Sequence, residues 1–122
     1  MKTVFKLVSI NDGRYFSYSA RGDFQLEYFT DKITIPKMGK IIAFGDLESA
    51  IIYKEFHVDP ENKMIELWMA ETSHAKKTTQ ISWPCPNDIR RFWRWSRRFT
   101  DCSMGADVGT VFCKNLRLVG KV

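Results

Sequence analysis

Trp83, Arg90, Arg91, Arg94, Trp95, Arg97 and Arg98 are the residues of this chain best equipped for chemistry, and they fall within sixteen positions. The chemistry they suit is recognition. A guanidinium is planar, permanently charged and able to meet two phosphate oxygens at once, and an indole face can stack on a nucleobase. The chain carries 19 Lys and Arg against 14 Asp and Glu, a formal net charge of +5. The five clustered arginines equal that whole excess, so the surplus positive charge is one local patch. Such a patch asks for an anionic partner, and phosphate is the anion it fits best.

The element that would position these arginines is a helix over 89–99. At 100° per residue, Ile89, Phe92, Trp93, Ser96 and Phe99 share one face, and the five arginines share the other, with Trp95 at the border. Asn87 and Asp88 supply the cap. No acid lies within the helix, so i,i+4 pairing cannot neutralise it. Arg90 and Arg91 also sit in the first turn, where the helix dipole disfavours a cation by a few tenths of a kcal/mol. Compensation is therefore expected from outside the helix. Phe92, Trp93 and Phe99 are expected to be buried, whereas Trp83 and Trp95, closest to the arginines, are the candidates for stacking.

Other reactive residues form no recognisable set. Cys85, Cys102, Cys113 and His74 are not spaced as the paired ligands zinc commonly takes, so no metal is expected, and Cys113 reads as a small buried residue in a strand. His57, near Asp59, and His74, near Ser73, are isolated. There is no GxSxG, GK[ST] phosphate loop, HExxH or GxGxxG, so no catalytic residue and no cofactor is expected.

The supporting elements read as α+β: a mainly antiparallel sheet with one or two packed helices, 47–56 and 89–99, in a single domain spanning 1–122. Val4–Ile10 and Arg14–Ser19 flank Asn11-Asp12-Gly13, a hairpin signal. Gln25–Phe29 is a short strand, and Asp31–Pro36 an extended edge. Ile41–Phe44 is a compact strand, followed by Asp46 as N-cap of the first helix. Asp59–Asn62 is a turn. Met64–Thr72 alternates, with Ile65, Leu67 and Met69 on one face and Met64, Glu66 and Trp68 on the other. Residues 73–87 and 101–108 read as irregular connections, and Thr110–Cys113 and Leu116–Val119 as closing strands. Three scattered cysteines fit a reducing compartment, and the apolar runs are too short to span a membrane, so a soluble cytoplasmic protein is expected.

Three segments carry a resemblance: Gly39-Lys40-Ile41-Ile42-Ala43-Phe44 leading to Leu47-Glu48-Ser49-Ala50, then Ile65-Glu66-Leu67-Trp68, then Gly109 through Val119. Their order is similar to small proteins common in bacteriophages and prophages. The Phe44-to-Ala50 step also resembles ADP-ribosyltransferase-like folds. Those enzymes need a glutamate near a late strand, where this chain reads Asp107-Val108-Gly109-Thr110-Val111. In size, and in its arginine and aromatic content, the chain resembles the anti-Thoeris nucleotide sponges of phages. That likeness implies a non-catalytic counter-defence protein capturing a cyclic nucleotide or an ADP-ribose isomer in the host cytoplasm. Direct binding of nucleic acid, or inhibition of a host complex that binds it, is the alternative, and a transferase-like enzyme is a third. A homo-oligomer is expected from the aromatic side of the 89–99 helix.

Overall fold

The computed structural model describes residues 1–18, 25–37, 39–77, 80–82, 103–105 and 109–122. Strand β1 (Lys2–Asn11) is central to it. One edge of β1 is taken along eight residues by β5 (Ile65–Thr72), from Lys2 opposite Thr72 to Ser9 opposite Ile65. The other edge forks. β2 (Arg14–Ser17) pairs with the C-terminal half of β1, and β4 (Ile41–Phe44) meets β1 where Phe5 faces Phe44.

Beyond β4 lie β9 (Thr110–Cys113) and β6 (Ala75–Lys77), beyond β5 lies β10 (Arg117–Lys121), and β3 (Glu27–Tyr28) adds to β2. Every strand pair in this sheet is antiparallel, as the sequence led us to expect. The chain after β3 returns to β10: the Leu118 amide donates to the Phe29 carbonyl at 2.9 Å, and Thr34 and Leu116 exchange backbone hydrogen bonds of 2.8 and 3.0 Å. The sheet thereby curls around an interior that includes Val4, Val8, Tyr28, Trp68, Cys113 and Leu118.

Helix α1 (Leu47–His57) covers part of the outer face, over Leu7, Phe44, Leu67 and Val58. This explains why β1 alternates only loosely in sequence. Val4 and Val8 enter one core and Leu7 the other, so both faces of the strand are apolar. Asp46 starts the helix from an extended conformation, its carboxylate accepting the Ser49 amide at 2.9 Å, with Glu48 in the first turn and Lys54 and His57 in the last. Asp59-Pro60 cannot continue it, and the Asp59 carboxylate accepts the Glu61 amide in the turn that follows. Among the described residues, no helix is long and apolar enough to cross a membrane.

The hairpin between β1 and β2 has positive φ at both turn residues, 52° at Asp12 and 73° at Gly13, the requirement of a type I′ turn. Two expectations need correction. The connection 73–87 is not wholly irregular, because it contains β6 and β7 (Gln80–Ser82), and 101–108 contains β8 (Ser103–Gly105). These three-residue strands owe their form to partners distant in sequence, β6 to β9 and β7 to β8. The expected 89–99 helix lies outside the described residues.

Candidate functional site

Lys76 and Lys77 end β6 opposite Phe112 and Val111 of β9, so the two strands are neighbours although the chain runs more than thirty residues between them. Part of that connection is a second, two-stranded sheet. In it β7 and β8 run antiparallel, with Gln80 opposite Gly105, Ile81 opposite Met104 and Ser82 opposite Ser103. Residues opposed in this way have Cα atoms about 4.5–5.5 Å apart. The chain therefore leaves β7 and re-enters β8 at a single place. Trp83, Arg90, Arg91, Arg94, Trp95, Arg97 and Arg98 all lie between those two points and outside the described residues, as do Phe92, Trp93, Phe99, Cys85 and Cys102. What the structure contributes to the arginine-rich segment is its pair of anchors.

The end of the connection is fixed firmly. The Gly109 carbonyl accepts the Gly45 amide at 2.8 Å, and Gly109, at φ +85°, packs against Ser49 and Asp46 at the start of α1. Nearby, Asn115 binds the turn between β5 and β6. Its carbonyl oxygen accepts the Ser73 amide at 2.9 Å, and its amide nitrogen donates to the Ser73 hydroxyl at 2.8 Å. Gly109 and Asn115 thus position the strand that receives the returning chain.

Comparisons with family models, curated proteins and solved structures find no match to this chain. Its function has to be argued from its own residues.

The remaining sequence candidates separate in space. Cys113 is fully buried in β9, and burial pushes its thiol up to about 11, partly opposed by the Lys6 charge and a hydrogen bond with Thr72. It is therefore a thiol, not a thiolate, near neutrality. His57 stacks on Tyr53 with ring centroids 4.3 Å apart, and the His74 carbonyl accepts the Lys114 amide. Among the described residues, no three His, Cys, Asp or Glu side chains are grouped to hold a metal.

Lys6 is the residue that the sequence reading missed. It lies between the inward positions Val4 and Val8, and its ammonium donates to the Ile42 carbonyl and lies 5.6 Å from the centroid of the Tyr28 ring. It fills the fork where β4 parts from β1. Burial lowers its pKa from 10.5 to about 8, and a smaller Coulombic interaction with Cys113 acts in the opposite direction. The available signal was a lysine at an inward position of an otherwise apolar strand.

This half-buried ammonium predicts an unusual pH profile. Between about 8 and 10.5 the unfolded chain holds more protons at Lys6 than the native one, so this group's penalty is relieved as pH rises. Cys113 and Tyr28 act oppositely. Their folded values, about 11 and about 12, lie above the ordinary 9.0 and 10.0, so each costs stability as pH rises beyond its ordinary value. Their sum is a rise in stability from about pH 8 to 9, then a levelling and a fall. Denaturant midpoints across this range should show the rise, and Lys6→Met should abolish it. A rise that survives Lys6→Met would assign it to another group.

Proposed function

We propose that this protein is a non-catalytic binder that captures a phosphate-bearing nucleotide. Arg90, Arg91, Arg94, Arg97 and Arg98 pair with phosphate oxygens, and Trp83 or Trp95 stacks on a base. One observation carries the reading: the chain's whole excess of positive charge lies in a segment that leaves and rejoins the fold at one paired ribbon. The electrostatics elsewhere support it. Glu27, Glu66 and Glu71 are engaged by Arg14, Lys121 and Arg117, so these acids already have cations of their own. The resemblance to phage sponges gives the binding a setting, the removal of a cyclic nucleotide or ADP-ribose isomer made by a bacterial immune enzyme in the host cytoplasm.

The test is a thermal-shift panel of cyclic dinucleotides, cyclic trinucleotides, ADP-ribose isomers and short DNA. A ligand at about 100 times its Kd adds about 2.7 kcal/mol to the native state, a clear rise in melting temperature. A small nucleotide should produce that rise with little dependence on salt. If DNA alone produces it, with a steep log–log salt slope, the protein contacts many phosphates and is a nucleic-acid binder. Captured ligand should return unchanged in mass after the protein is denatured. A product formed at many turnovers per protein would replace this reading with an enzyme.

A further inference from the structure

A lysine turned into a protein interior is ordinarily paired with an acid, and Lys6 is not. Among the described residues no carboxylate forms an ion pair with it. Trp68 is its cross-strand neighbour on β5, and the acid next in register there, Glu66, is occupied. Glu66 binds the Lys121 ammonium at 2.7 Å and accepts the Trp68 indole N–H at 3.0 Å. The titratable groups that face Lys6 from the other strands are Tyr28 of β3 and Cys113 of β9, and burial keeps both protonated at neutral pH. The Lys6 nitrogen donates to the Ile42 carbonyl, which engages one of its three hydrogens. It is also reachable. β2 takes up the edge of β1 from Val8 onward and β4 meets that edge at Phe5, so half-buried Lys6 lies where the two strands part.

We propose that Lys6 is a nucleophilic amine that captures small aldehydes as imines. A neutral amine there keeps one hydrogen on the Ile42 carbonyl and has its lone pair and second hydrogen free. The lone pair forms a bond to the aldehyde carbon, and a proton passes from nitrogen to the former carbonyl oxygen. That oxygen then leaves as water with the second amine hydrogen, and a C=N bond remains. No oxidant or reductant is needed. The surroundings favour the neutral amine, since an unpaired ammonium is costly to desolvate. With a pKa of about 8, roughly 20% of Lys6 is free amine at pH 7.4, against about 0.1% for a lysine at the ordinary 10.5. Val4, Val8 and the Tyr28 ring belong to the same buried apolar cluster, so a small apolar or aromatic aldehyde is the class that fits. This inference does not depend on the nucleotide reading.

The test is competitive labelling of the native full chain with benzaldehyde at pH 7.4, the imines being trapped by cyanoborohydride. Digestion and mass spectrometry then give a rate for Lys6 and for each of the ten other lysines. Lower basicity and half-burial offset part of the gain in free amine, and Lys6 should still react at least about tenfold faster than the others. Its rate should saturate with benzaldehyde concentration, and the preference should vanish in guanidinium, where every lysine is solvated. Lys6→Met should remove the fast phase and leave the other lysines at their wild-type rates. Labelling of Lys6 no faster than that of the exposed lysines, a rate that rises linearly without saturating, or a preference that survives unfolding would each overturn the proposal.

Discussion

Gly109→Ala should destabilise the protein by about 2–5 kcal/mol, combining the strain of a side chain at positive φ with overpacking. A Cβ there would lie 2.5 Å from the Ser49 Cβ and 2.8 Å from an Asp46 carboxylate oxygen, and closer still to the Ser49 hydroxyl. Those two residues form the N-terminal cap of α1, with the Asp46 carboxylate accepting the Ser49 amide. The clash would therefore push β9 off the sheet or break the cap. Gly13→Ala is the matched control. Its φ is also positive, +73°, but nothing lies within 4 Å of the added carbon, so about 1 kcal/mol is expected. Denaturant midpoints of the two variants separate packing from backbone strain. Equal losses would show that the fit around Gly109 is loose.

The second large effect concerns binding. Arg94→Glu together with Arg97→Glu should lower affinity for the proposed nucleotide ligand, or for nucleic acid, by at least about tenfold, or about 1.4 kcal/mol, through lost charge-assisted contacts. Melting temperature without ligand should hardly change, because the helix expected over 89–99 from the sequence would carry both side chains on its polar face. The opposite result, normal binding with a much lower melting temperature, would make the arginines an internal pairing device and remove the basis for the proposed function.

Local signals in the sequence account for much of the architecture. Asp12-Gly13 announces its hairpin because few other residue pairs tolerate two positive φ values, and Asp46 announces α1 because its carboxylate can take an orphan amide. The alternation of β5 is legible because Leu67 and Trp68 enter opposite cores. Ala75–Lys77, Gln80–Ser82 and Ser103–Gly105 are not legible. They are short and mostly polar, and they become strands only through pairing with distant segments, which periodicity cannot register. Lys6 escaped for a related reason. A lysine in a strand reads as solvated unless the neighbouring strands that cover it are known. For the candidate site, charge and aromatic content were readable from residues 83–98, whereas the ribbon that anchors them was not.

That ribbon has a consequence for how the protein can diversify. Because Ser82 and Ser103 face one another, the polymer cost of joining them grows only as the logarithm of the number of residues between, and doubling that number costs about 0.6 kcal/mol for a flexible chain. The contacts described around Val4, Tyr28 and Leu118 are made by residues outside that interval. In the binding role we propose for it, the arginine-rich interval can therefore change in length at small polymer cost while its two anchor strands stay the same.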